Sequence, residues 1–405
     1  MTDRTLRGRA AIVGVADEVS PTGELDRHGR ALEAAVIRDA LADAGLTLAD
    51  VDGLSYAGQT PGLAEYLGIH PRFMDGTQVG GSSYELHVEH AAAAIAAGLC
   101  DVVVGVYAAT PRSDRKRRSN GGGGRPAGPG GPGLRGPNAQ SGPGAFGGPP
   151  PGGMEWEMPY GLRGPMGHYA LSASRHMALY GTTSEQLAAI AVDTRRWASL
   201  NPRARHQEPI TVDDVLASPM QASPLHLLDC CLVTDGAGAF VMVSEERARD
   251  LAKPPVWVLG AASSGDHAQS MTQMPDLTTT AGAVSGPAAF AMAGLKPSDV
   301  DVLMGYDSFT ITALLHLEDL GFCPKGEGGA FAEAGELRVD GGSLPYNPHG
   351  GMLSHAYVLG IAHVVEVVRQ LRGEAANQVD GAEIGIYGGY TGPEAATLVL
   401  RRSAS

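Results

Sequence analysis

The feature that most constrains this chain is a repeat of its own sequence. "ALADAGLTLADVDGLSYA" at residues 40–57 is echoed by "AFAMAGLKPSDVDVLMGY" at residues 289–306, with Gly45 matching Gly294 and Asp52 matching Asp301. Each copy reads as a helix closed by a glycine C-cap, a turn whose Asp or Ser can cap the next element, and an apolar strand. A second pair follows the same plan: "SSYELHVEHAAAAIAAGLCDVVVGVYAA" (82–109) and "SHAYVLGIAHVVEVVRQLRGEAANQVDGAEIGIYGGY" (354–390) each read as a helix followed by a buried strand, Val102–Tyr107 in the first copy. Helices without a broad charged face have to be buried, and alternating helices and strands imply a mostly parallel sheet in each half. The pattern therefore predicts an α/β fold, a duplicated layered αβαβα arrangement in which two sheets share buried helices.

The length of 405 residues accommodates this, since each half is large enough to bury a core. The halves are read as residues 1–252 and 253–405. Two insertions interrupt the first. Residues 112–154 hold a Pro/Gly-rich excursion with no triplet period and little to bury, expected to be mobile and partly disordered. Its "GGGGRP" lacks the Lys-Ser/Thr of a phosphate-binding loop, and its basic start "RSDRKRRS" (112–119) is read as the solvated base of a loop. Residues 160–225 read as an inserted helical loop domain. A net charge of −14 repels phosphate backbones and argues against general nucleic-acid binding. No apolar run is long enough to span a bilayer, and "MTDRTLRGRAAIVGVADE" turns charged too soon for a signal peptide, so the cytoplasm is the expected location. Cys100, Cys230, Cys231 and Cys323 show no Cys-x-x-Cys spacing, which indicates neither a disulfide framework nor a zinc site.

With the duplicated unit, "LLDCCLVTDGAGAFVMVSEERA", "YDSFTITALLHLEDLGFCPKGEGGAF" (306–331) and "NPHGGMLSHAYVLG" in order, the chain resembles the thiolase superfamily over its whole length, in the branch related to sterol-carrier-protein thiolases. The resemblance also locates departures from a working thiolase. Where the family has its nucleophilic cysteine, before the alanine run that holds Ile95, this chain has Gly81 in "QVGGSSYELH". The family's Asn-Glu-x-Phe motif falls on Tyr306-Asp307-Ser308-Phe309, its Gly-His-Pro-x-Gly histidine falls on Tyr357, and its late cysteine falls near Ile386, leaving Gly388 and Gly389 but no thiol.

Claisen condensation needs a thiolate to hold the acyl group, a base to activate it and a second acid/base for the α-carbon. All three are missing at these positions. A thioester site without its cysteine can still stabilise an enolate, through backbone N–H groups at Gly81 and Ser82 and in a Gly388-Gly389 turn. Retro-aldol cleavage of a β-hydroxyacyl-CoA releases such an enolate and needs two proton-transfer groups, for which Tyr306 and Tyr357 are the candidates. An ordinary phenol has a pKa near 10 and burial raises it further. Either donors such as the helix N-terminus or His349 lower it, or a neutral tyrosine acts in a concerted transfer. The arrangement is similar to the thiolase-like aldolases of bacterial steroid side-chain degradation. That resemblance implies release of propionyl-CoA and a ketosteroid, no cofactor beyond the coenzyme A of the substrate, a homodimeric core, and a small OB-fold and zinc-ribbon partner in an α2β2 assembly.

Plainer roles compete at each position. A tyrosine at a helix start is often a packed ring. Ser82 and Ser83 are read as N-caps before nucleophiles, His87 and His90 as core or interface residues, and Phe309, Leu314, Leu317 and Leu320 as a buried helix face. Asp307 either orients Tyr306 or caps the following helix. Tyr346 has no assigned role. Two rival functions remain at this level: a non-catalytic subunit that binds acyl-CoA or sterol, and a divergent acyltransferase using Cys323.

Overall fold

In the computed structural model, which describes residues 6–119, 157–162, 164–266 and 273–403, the repeat becomes two copies of one strand order. The first half runs β1 (Ala10–Val19), α1 (Gly29–Asp43), β2 (Gly53–Tyr56), α2 (Thr60–Leu67), β3 (Phe73–Asp75), α3 (Ser83–Ala96), β4 (Val102–Ala109) and α4 (Pro111–Ser119). The inserted region follows as α5 (Pro165–Tyr180), α6 (Ser184–Ser199), α7 (Val212–Ala217) and the hairpin β5 (Met220–Ala222) and β6 (Leu225–His226). β7 (Gly236–Ser244) and α8 (Glu245–Ala248) then complete the half. The second half runs β8 (Val256–Gly265), α9 (Gly282–Ala293), β9 (Val302–Gly305), α10 (Thr310–Asp319), α11 (Gly328–Glu333), α12 (Ile361–Arg372), β10 (Ile384–Thr391) and β11 (Glu394–Arg401).

The duplication reaches individual hydrogen bonds. Gly45 and Gly294 both close their helices in the left-handed region, at φ 71° and 68°, where a side chain would be strained. Asp52 Oδ1 accepts from Val102 N at 2.8 Å, and Asp301 Oδ2 accepts from Ile384 N at 2.8 Å, so each acidic residue anchors the strand that starts beside it. Gly14 on β1 and Gly260 on β8 each leave no room for a Cβ, which would collide with the carbonyl of Ala40 in α1 and of Ala289 in α9. Even Tyr346 finds a counterpart: it bridges Leu303 of β9 in parallel, as Met74 of β3 pairs with Leu54 of β2.

Two expectations about the sheet are corrected. The halves are mixed, not mostly parallel: β2 pairs in parallel with β3 and β4, but β4–β7 and β7–β1 are antiparallel, and β9–β10, β10–β11 and β11–β8 repeat this pattern. The long return after β4 and the two-residue hairpin after β10 both end in strands running the other way, which helix–strand alternation does not reveal. The two sheets also join into one of nine strands, through Ala11–Trp257 and Ile12–Val256. The shared helices are as expected. α3 and α12 pack on strands of both halves, in a core that combines Val88, Ala92, Val364 and Val368 with Ile12, Val103, Phe240, Val258, Met304 and Leu398. Phe309, Leu314, Leu317 and Leu320 are buried.

Residues 120–154 of the Pro/Gly-rich excursion lie outside the described residues. Its basic start is helical and not a loop, although Arg115 and Lys116 are exposed to solvent as expected. It forms α4, whose first amides, Arg112 N and Ser113 N, donate to the buried Asp235, while Arg112 and Lys116 approach Glu24 and Arg117 approaches Asp26. Carboxylates from the loop after β1 thus neutralise part of the run. Among the described residues no helix is long and apolar enough to cross a membrane.

Candidate active site

Three chain segments meet at the C-terminal end of β9. Tyr306 directly follows the strand and prolongs its ladder, its N–H donating to Gly388 O at 3.0 Å. Gly305 has no side chain because the ring of Tyr346 lies over it, and Asn347 clamps its backbone from both sides, at 3.0 and 2.9 Å. The second segment is "NPHGGMLSHAY". Gly350 and Gly351 have φ of 103° and 58°, and a Cβ on Gly351 would overlap the Asp307 carboxylate. That carboxylate accepts from Met352 N at 2.9 Å and Leu353 N at 3.3 Å, and faces His363 Nε2 at 3.3 Å. The third segment, residues 230–234, is stitched to the others by Cys231 N to Ser308 O (2.9 Å), Leu232 N to Met352 O (3.0 Å) and Tyr357 N to Thr234 Oγ1 (2.9 Å).

These ties bring the hydroxyls of Tyr306 and Tyr357 to 3.1 Å. Burial is the main force acting on both phenols and pushes both above their ordinary range. Tyr357 is the less enclosed of the two, half-buried against 2 % exposure for Tyr306. Tyr306 is pushed up further by its partner's oxygen, whereas its hydrogen bond to Tyr357 works the other way on Tyr357. The pair is therefore neutral at physiological pH, one hydroxyl donating to the other. Tyr169 of α5 packs on Phe309 with ring centres 4.9 Å apart and adds a further neutral phenol near Tyr357.

Other candidates are placed differently from expectation. Asp307 neither orients the Tyr306 hydroxyl nor caps α10. The capping position belongs to Phe309, whose N–H is received by Thr312 Oγ1, and the Asp307 carboxylate is taken up in holding the turn that carries Tyr357. His349 cannot lend positive charge to the phenols. It is buried against His355 and His363, at ring distances of 5.1 and 4.9 Å, and burial followed by those neighbours holds it well below the ordinary histidine range. Gly388 and Gly389 lie inside β10, opposite Thr397 and Ala396, and not in a turn. Ser82 occupies the N-cap position of α3 without capping it: its hydroxyl reaches Glu394 O at 3.5 Å, and Ser83 Oγ donates to Gly80 O at 2.7 Å. His87 bonds Thr77 O and His90 bonds Asp75.

No thiol present is a ready nucleophile. Burial is the main force pushing Cys100, Cys230 and Cys323 up to about 12 and raises Cys231 as well. Cys231 nevertheless lies close enough to both phenols to act on them, a proximity that the vicinal pair did not reveal in sequence. Glu85 was also missed. Its carboxyl is fully buried in the first turn of α3, beside Tyr387 and directly over Gly389. A single acidic residue in the first turn of a helix expected to be buried was the available signal. Among the described residues no group of three or more His, Cys, Asp or Glu is arranged to hold a metal ion.

Residues 262–402 match the family described as "Thiolase C-terminal domain-like". A "Steroid side-chain-cleaving aldolase" of Thermomonospora curvata is 36% identical, with 98% of each chain covered. A "17-hydroxy-3-oxo-4-pregnene-20-carboxyl-CoA lyase" of Mycobacterium tuberculosis is 38% identical, covering 98% of this chain and 100% of the relative. The solved structure described as "Ltp2-ChsH2(DUF35) aldolase" superposes with a TM-score of 0.84 at 35% identity, covering 98% of this chain and 99% of that one.

Proposed function

This chain belongs to the thiolase-like aldolases, the side-chain-cleaving branch of the thiolase superfamily, and from that premise we propose that it is a carbon–carbon lyase cleaving a steroid side-chain CoA thioester by a retro-aldol reaction. The substrate class follows from the relatives' names. A 17-hydroxyl is β to a thioester carbonyl attached at carbon 20, so the bond between C17 and C20 is the one a retro-aldol step breaks. The 17-hydroxyl proton leaves, C17 becomes a ketone, and the bonding pair passes to C20 as the enolate of propionyl-CoA. One proton returned to that carbon completes the balance without redox change, covalent intermediate or cofactor.

The observation that carries the reading is the Tyr306–Tyr357 hydroxyl pair at 3.1 Å in a site whose neighbouring thiol is neutral. One phenol receives the hydroxyl proton while passing its own across the 3.1 Å hydrogen bond to the second, which gives its proton to the enolate carbon, so both end neutral and neither has to be a free tyrosinate. A full tyrosinate at pH 7 costs about 4 kcal/mol even from an unshifted pKa, and burial adds to that. The acyl oxygen is received at the N-terminus of α3, at Gly81 and Ser82 and alongside the block that includes Gly389, where the helix dipole favours the negative charge that develops. The chain works in the cytoplasm as a homodimer with a small partner of the DUF35 kind named with its structural neighbour.

The test is to supply the protein and such a partner with a 17-hydroxy steroid-20-carboxyl-CoA and to measure propionyl-CoA and 17-ketosteroid. Tight binding without products would return the chain to a transfer or scaffold role.

A further inference from the structure

Glu85 has no part in the proton transfers above, yet it is the acid placed next to the acyl-oxygen site. α3 presents it one turn into the helix, at 0 % exposure. A Cβ on Gly389 would overlap Oε1, so the carboxyl covers that residue's Cα, and the same Cβ would stand 2.9 Å from Gly81 O. Beside it, Tyr387 gives its hydroxyl proton to Gly81 O at 3.3 Å and stacks on His363 at 5.2 Å. A Cβ at Gly360 would run into that same hydroxyl. Gly81, Glu85, Tyr387, Gly360 and Gly389 thus form one close-packed block under the start of α3. Neither Glu85 oxygen makes a well-formed hydrogen bond, and its own amide and the Tyr387 hydroxyl favour the ionised form less than burial opposes it, an expensive arrangement for a carboxylate and a much cheaper one for the neutral acid.

We propose that Glu85 is a positioning residue of the acyl-oxygen site: as an uncharged carboxylic acid it wedges Gly81 and Gly389 at the spacing that receives the enolate, and its ionisation shuts the site down. The inference rests on the aldolase reading.

Two opposing effects decide its protonation. The N-terminal turn of a helix favours an anion, but burial is the larger effect and holds Glu85 well above the ordinary carboxylate range. The groups facing it are Tyr387 of β10, and through Tyr387 also Asp307 after β9 and Tyr84 of its own helix. All are acidic or neutral, and among the described residues no cation acts on it. Ionised, Glu85 would set a negative charge beneath the oxygen that must itself become negative, reversing the preorganisation the site supplies.

The test compares wild type, Glu85→Gln and Glu85→Ala, each with the partner, from pH 6 to 10, following kcat, KM and the binding of propionyl-CoA. Wild-type cleavage near neutral pH decides the aldolase reading by itself. For Glu85 the expected result is a fall in wild-type kcat at the alkaline end that Glu85→Gln abolishes while keeping neutral-pH turnover within about threefold. Glu85→Ala loses tenfold or more in kcat with KM little changed. If wild type binds but does not cleave, the same comparison is made on propionyl-CoA affinity, where only wild type should weaken at alkaline pH. An alkaline limb shared by wild type and Glu85→Gln, a Glu85→Ala variant with full kcat, or a Glu85→Gln variant that does not fold would each overturn the assignment.

Discussion

The hydroxyl oxygens of Tyr306 and Tyr357 stand 3.1 Å apart although 51 positions separate them in the chain. Tyr306 is set by the ladder of β9 and β10, and Tyr357 by Thr234 and by the turn that Asp307, next to Tyr306, holds, so the pair joins two segments that are tied to each other.

Removing either hydroxyl should therefore be nearly as damaging as removing both. Tyr306→Phe and Tyr357→Phe are each expected to lower kcat by roughly a hundredfold or more, and the double variant to lie well short of the product of the two. Propionyl-CoA release under single-turnover conditions reads this directly, and undiminished cleavage by both variants would remove the proposed mechanism.

The pH profile separates a concerted transfer from a tyrosinate base. Both phenols are raised above 10 by burial, so their neutral forms persist across the physiological range and ionisation would come only at strongly alkaline pH. A rate limited by the tyrosinate fraction would climb tenfold per pH unit up to that pKa. The concerted reading expects no ascending limb between pH 7 and 9, measured as kcat for the purified complex.

Asp307 should show itself as a structural residue with a kinetic consequence. Asp307→Asn sets an amide N–H against one of the backbone donors at Met352 or Leu353, an unsatisfied pairing costing about 1–3 kcal/mol. A Tm lower by a few degrees and a kcat reduced because Tyr357 is less firmly held are expected in calorimetry and turnover assays of the same preparation.

Thiol chemistry offers a control. With Cys230 and Cys323 pushed up to about 12 and Cys231 also raised, almost none of any thiol is thiolate at pH 7. Turnover should survive iodoacetamide, and Cys323→Ala should keep wild-type kcat within about threefold; loss of activity in Cys323→Ala would restore the acyltransferase alternative.

The duplicated glycines give a stability test. Gly14→Ala and Gly260→Ala each force a methyl into a helix carbonyl and should destabilise by about 1–3 kcal/mol. Gly62→Ala, in α2 with open space around it, should be neutral or stabilising by up to about 1 kcal/mol. Denaturant unfolding of the three variants makes the comparison.

Much of this architecture was written locally. The glycine-capped helix, acidic turn and apolar strand repeat because each depends on neighbours a few residues away, so the duplication and the buried α3 and α12 could be read along the chain, whereas Tyr306 and Tyr357 stood out only through the resemblance to the thiolase superfamily. Strand direction could not be read from helix–strand alternation: β7 runs antiparallel after the long insertion that follows β4, and β11 after a two-residue hairpin that follows β10. Nor could the uses of Asp307, His349, Cys231 and Glu85 be read. A carboxylate tied to amides 45 positions away, a histidine kept neutral by burial among two others, a thiol brought beside the phenols and an acid brought over Gly389 all depend on contacts between distant segments. Sequence determined which groups are available and the local conformations that carry them. Only tertiary packing decided which groups meet, and how far water is excluded from them, and burial is the main cause of the raised proton affinities on which the chemistry rests.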